Sequence, residues 1–281
     1  MTFVTPTIDA GVEPSDAVII TARRAAEAVE QLPRERLKRR LRYLGLAVLL
    51  LQLAFMILWN DLEIQRFAEG QDFAGFYQAW NFLGHGVLNP PGWFQSQAIF
   101  IMWPLGIIAA VFPQPLALLS VQALAVVGAE AVAYFWIIQI ADSRPSLPLR
   151  ACAILGLALL VLNPWVYYAI SWDYHSEALG VLFALLAARD FCNHHRRRGW
   201  LFSGVTLACG MVPATYLVGL GVGLLGCRGR RRTGLLLAAL ACGWLLLMLK
   251  LGAGAGLLPV SHGFAREEAS SPLAAAAHEA L

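Results

Sequence analysis

The chain has 281 residues, of which 58% are hydrophobic and 14% charged, with a formal net charge of +3 and a mean hydropathy of +0.61. A soluble domain carries about 25% charged residues, and a chain of this size cannot hide so much apolar surface from water. A soluble enzyme, a disordered chain and a nucleic-acid reader are therefore excluded, and the charge has to be read from where the arginines sit.

Residues 1–42 are polar, with eight Lys/Arg against six Asp/Glu. Ala22–Arg42 has helical composition and ends in the basic cluster Arg34, Arg36, Lys38, Arg39, Arg40 and Arg42. The first apolar run starts too late for a cleavable signal and lacks a small-residue cleavage site. That run, Tyr43–Trp59, has seventeen residues. At about 1.5 Å each it spans roughly 25 Å, just enough for a bilayer core. The positive-inside rule places the N-terminal arm in the cytoplasm.

Residues 60–96 form a first outer loop with Asp61, Glu63, Glu69 and Asp72 against the single Arg66. Within it, 72–86 reads as an interface helix whose Phe73, Phe76, Tyr77, Trp80 and Phe82 make an aromatic side suited to the headgroup level. This is either an anchor helix or one that holds Asp72 at the membrane surface, where a carboxylate can deprotonate a hydroxyl or bind a cation.

Further apolar runs are 97–112, 116–140, 151–170, 174–191, 200–227 and 233–249. If each crossed once, Arg144/Arg150 and Arg196–Arg198 would fall outside, against the positive-inside rule. Two runs resolve the conflict by not crossing. Run 97–112 is short, contains Pro104 and ends at Pro113-Gln114-Pro115, so it is expected as a re-entrant or surface helix on the outer face. Run 200–227 is flanked by arginines and broken near Gly210–Pro213, so it is expected as a hairpin of two half-helices. The expectation is an all-α polytopic membrane protein with about five full spans, a transmembrane domain over 43–260 and a polar tail at 261–281.

Glu130 lies inside run 116–140, with apolar residues on both sides and no partner evident in the sequence. It is either a functional intramembrane carboxylate or a protonated packing residue. The second outer loop, Ser171–Glu177, carries Asp173 and Glu177 four apart on one helical face, with His175 on a different side. It is either a solvated helix start or part of a site. Gly219-x-Gly221-x-Gly223 permits close helix approach. The five cysteines are scattered and form no CxxC, so they read as small reduced hydrophobes. No hydrolase triad and no metal-ligand spacing stands out, and no cofactor is expected.

Two segments carry a resemblance. Asp72–Asn81, D-F-A-G-F-Y-Q-A-W-N, followed by Gly84-His85-Gly86, resembles the opening motif of the polytopic family called domain of unknown function 2079. Tyr174-His175-Ser176-Glu177-Ala178-Leu179, shortly after Pro164, resembles that family's F-H-P-E-A-L element. The family is in turn similar to the integral-membrane glycosyltransferases of GT-C type. The resemblance implies a GT-C-like core and a polyprenyl-phosphate sugar donor used on the outer side. Asp72 would be the catalytic base, or would orient the acceptor, and His175 and Glu177 would line the site or meet the donor phosphate. Asp173, Gln78 and Trp80 join them as substrate-binding candidates. Two family features are replaced here: Trp93–Gln97 has no His, and Met211–Thr215 has no charged element at the hairpin tip. These departures favour an alternative, a membrane subunit that kept the fold and lost the site. A small transporter using Glu130 is a third reading. Expected partners are membrane lipids, a polyprenyl-phosphate sugar and a protein docked on the N-terminal basic arm, with no nucleic acid. The expected location is a bacterial plasma membrane.

Overall fold

The computed structural model describes residues 16–66, 71–87, 98–144, 146–164, 166–167 and 174–251, with side chains from Arg34 in the first helix and from Phe73 in the second. Among the described residues the chain forms nine helices and no strand. They are α1 (Asp16–Gln65), α2 (Gln71–Gly84), α3 (Met102–Val111), α4 (Pro115–Ser143), α5 (Leu149–Val161), α6 (Glu177–Cys192), α7 (Arg196–Ala208), α8 (Met211–Leu225) and α9 (Arg231–Lys250). Among the described residues, three stretches are long and apolar enough to span a membrane: Arg34–Gln65 of α1, α4 and α9. Their outward faces carry exposed large apolar residues, such as Leu50, Leu51 and Phe55 on α1 and Leu235, Leu236 and Leu246 on α9. Such a surface is unfavourable in water and compatible with lipid.

Local sequence sets where the helices begin and end. Pro115 opens α4 in the first helical position, after Gln114 in extended backbone. There the missing N–H is one the helix does not use. Pro104 sits in the first turn of α3 for the same reason, and Pro113 follows its end. α3 is therefore a ten-residue helix, about 15 Å long and too short to cross. Run 151–170 was expected as one span, yet α5 stops at Val161 after 13 residues. Pro164 explains the stop: its ring clashes with the carbonyl four residues back, and it disfavours a helical Asn163. Run 200–227 divides at Cys209–Gly210 into α7 and α8. Gly210 has φ 125°, a conformation open to glycine and strained for other residues.

Side-chain bonds bring the arginine clusters to one end of the bundle. Asp142, near the end of α4, meets Lys38 at 2.7 Å and Arg34 at 3.3 Å. Gln139 donates to Asn193, just past α6, at 3.2 Å. Arg230 donates to the Cys192 carbonyl at 2.6 Å, and Arg198 lies 3.4 Å from Asp190. The basic arm is thus the first part of the continuous helix α1, with Arg34 and Lys38 tied to α4 and Arg36, Arg39 and Arg40 exposed.

The opposite end holds α2, α3, the segment 174–176 and the α7–α8 turn. The Ile101 N–H donates to the Ala208 carbonyl at 2.8 Å. Pro213 lies against Gly180 near the start of α6. α7 and α8 therefore run out from the arginine end and back to it. Among the described residues, three larger apolar clusters and a small one around Ala98 and Met248 fill the bundle. One joins α2 and α3 to Leu118, Tyr174, Leu179 and Cys209. A second joins α1, α4 and α5, and a third joins α6, α7, α8 and α9. The aromatic side of α2 is turned into the first of these: Phe73, Phe76, Trp80 and Leu83 are buried in protein. Tyr77 and Phe82 are partly exposed, and α3 covers the face that carries the buried rings.

Candidate functional site

α5 and α6 each pack on α4, and residues of all three, with Tyr216 of α8, line a cavity of about 640 Å³. Most of its wall is apolar, including Val126, Ala129, Leu160 and Val181. Six residues with polar groups reach it: Gln122, Glu130, Asn163, His175, Glu177 and Tyr216. They come from distant parts of the sequence, and only α4 contributes two of them.

His175 and Glu177 form one edge of the cavity. His175 Nδ1 lies 3.8 Å from Glu177 Oε2, and both side chains are partly exposed. The sequence reading placed His175 on a different side from Glu177. That helical-face argument does not apply to the described residues 174–176, which are not helical and precede the start of α6 at Glu177. Gln122 of α4 fixes the segment by accepting a hydrogen bond from the His175 backbone N–H. Tyr174 anchors it from the other side. Its ring is buried edge-on to Phe76 of α2, with centroids 5.1 Å apart, and its hydroxyl meets Met102 Sδ of α3 at 3.7 Å. The contact with Phe76 joins the two motif-bearing segments of the sequence.

Glu130 lies deeper. It is eight residues beyond Gln122 on α4, about 12 Å further along the helix axis. It is 5% exposed, and it has a partner the sequence did not reveal: Gln52 Nε2 donates to Oε1 at 3.2 Å. No hydrogen bond reaches the other carboxyl oxygen, Oε2, among the described residues. Gln52 is itself a buried polar residue within an apolar run. That position was the available signal, and pairing it with Glu130 across 78 positions required the fold.

The remaining candidates fall elsewhere. Trp80 is fully buried, and its indole N–H donates to the Phe112 carbonyl at 3.1 Å. Its ring and its donor are both engaged in packing α2 on α3. Gln78 is exposed on the other face of α2, in a separate shallow groove with Asn81, Phe82 and His85. Asp173 and the side chain of Asp72 lie outside the described residues, while the backbone of Asp72 is in the first turn of α2. Among the described residues, no group of three His, Cys, Asp or Glu is placed to hold a metal ion. Gln122, Asn163 and Tyr216 are cavity residues that the sequence did not single out.

No protein-family model matches this chain, nor does any curated protein or solved structure. The likeness to a known family rests on the motif residues alone.

Proposed function

We propose that this chain is an integral-membrane relative of the GT-C-type glycosyltransferases, acting on a sugar carried by a lipid phosphate at the end opposite the arginine clusters. The observation that carries the reading is the Phe76–Tyr174 contact. It ties the helix bearing Asp72 to the segment bearing His175 and Glu177, at the edge of an apolar-walled cavity. In this reading Asp72 takes the proton from the acceptor hydroxyl. His175, when protonated, faces the donor phosphate, and Glu177 holds the imidazole in place. The apolar walls accommodate part of the lipid chain. Purified protein given a polyprenyl-phosphate sugar is expected to transfer it to an acceptor. Asp72→Asn should abolish transfer, and His175→Ala should lower it by about 100-fold or more, the usual scale for a positioned acid or base. Transfer that survives Asp72→Asn would reject the assignment.

The same reading counts five full spans: α1, α4, the 151–170 run containing α5, α6 and α9. The α7–α8 hairpin enters and returns, α3 lies on the outer side, and the arginine end is cytoplasmic by the positive-inside rule. Single cysteines at Ser143 and Gly229, in an otherwise cysteine-free chain, should react with an impermeant maleimide from the cytoplasmic side only. One at Gly86 should react from the outer side only. Labelling of Ser143 and Gly229 from opposite faces would overturn the topology.

A second reading, a membrane subunit that kept the fold without the chemistry, is favoured by one observation. Among the described residues the cavity is lined by Glu130, Glu177 and His175 but by no Lys or Arg, so none of them places a permanent cation to hold a phosphate. A stoichiometric protein partner co-purifying without any lipid-linked sugar would support it.

A further inference from the structure

We infer that the deep part of the cavity is a binding site for a hydrophobic organic cation, a protonated amine or quaternary centre on an apolar body, with Glu130 as its counter-ion. The inference is independent of the transferase reading and concerns a different part of the cavity. Its starting point is the carboxyl group of Glu130. The residue is 95% buried and lines the cavity, and its Oε2, like the Oε1 of the neighbouring Gln52, is shut off from solvent and has no hydrogen bond among the described residues. A buried carboxyl oxygen that finds no donor is costly, and buried charges are retained where something pairs with them.

Gln52 satisfies only Oε1 and fixes the direction of the carboxylate. The rest of the wall selects the kind of partner. Gln122 and Asn163 bring amide oxygens to the cavity, but most of its wall, including Val126, Ala129, Leu160 and Val181, offers none for an inorganic ion, which would need several to replace its water. That wall suits an apolar body instead. Tyr216 adds an aromatic ring, the side-chain type that attracts an organic cation through its face. Among the described residues, no Lys or Arg lines the cavity to repel a cation. The volume of about 640 Å³ falls within the usual range for drug-sized ligands.

Tetraphenylphosphonium is a suitable probe because its charge is permanent and its body apolar. Tetraphenylborate has nearly the same shape and the opposite charge. Equilibrium dialysis of the full chain in detergent, against matched detergent blanks, should show saturable binding of the phosphonium and none of the borate above the blank. Glu130→Gln keeps the shape of the side chain and removes its charge. It should weaken phosphonium binding by at least about tenfold, as expected for a desolvated charge pair. The charge comparison on the unaltered protein needs no variant and guards against one that folds poorly. Equal binding of the two ions, preference for the borate, or phosphonium binding unchanged in Glu130→Gln would each overturn the proposal. None of these readouts involves sugar transfer, so this proposal and the transferase reading fail separately.

Discussion

Gly221→Ala is expected to lower the thermal midpoint of the detergent-solubilised protein by several degrees, while the same change two residues to either side raises it slightly. A Cβ on Gly221 would come within 2.8 Å of both the Gly234 carbonyl oxygen and the Ala238 amide nitrogen of α9. Both are backbone atoms and cannot swing aside. The reciprocal approach is as tight, because a Cβ on Gly234 would meet the Gly221 carbonyl oxygen at 2.6 Å. The two helices touch backbone to backbone, as small residues permit within membranes. Forcing a methyl group into such a crossing costs about 1–3 kcal/mol. Gly219 and Gly223 face open space with no atom within 4 Å of an added Cβ. Alanine there only improves helix propensity, by about 0.5–1 kcal/mol. Thermal unfolding of the three single variants checks the contrast, and a uniform response would show that α8 and α9 do not cross at Gly221.

Trp80→Ala should be among the most damaging single substitutions, costing about 3–5 kcal/mol, the usual range for removing a buried large aromatic. Its ring lies in the apolar cluster that joins α2, α3, α4 and Tyr174. Removing it also leaves the Phe112 carbonyl without its indole donor. Gln78→Ala, on the exposed face two residues earlier, should stay within about 0.5 kcal/mol. Comparing thermal midpoints separates packing from recognition. A Trp80→Ala protein with unchanged stability and lost ligand binding would instead favour Trp80 as a substrate contact.

Both predictions concern features that look alike in the sequence and differ in the fold. Three glycines at alternate positions of one helix are equivalent as a pattern, and only the neighbouring helix decides which of them must stay small. The aromatic side of 72–86 is visible as a pattern too. Whether it meets lipid headgroups or another helix depends on α3, ten residues that composition marks only as a short apolar run.

The candidate site divides in the same way. Glu130 stands out in the sequence because a charge within a long apolar run is rare. His175 and Glu177 stand out because they cluster next to another such run. The pairing of Glu130 with Gln52, and the meeting of Glu130, His175 and Tyr216 around one cavity, were not legible there. A cavity between α5 and α6 exists because both pack on α4, and no local pattern encodes which two helices share a third.

What the sequence by itself determined is the class of protein and the points where its helices change direction. Hydropathy exceeds what a water-soluble core can hide, and Pro115 and Gly210 act through their own backbones, so these inferences need no distant partner, whereas the reading of 151–170 as one run passed over the break before Pro164. The arginine clusters predicted a common end, and the ties of Asp142 to Arg34 and Lys38 and of Cys192 to Arg230 are the contacts that gather them. Only the tertiary structure decided which polar side chains are buried together, which glycines must remain glycine and which aromatic face is covered. Each of those depends on contacts between residues far apart in the chain, where periodicity and propensity carry no information.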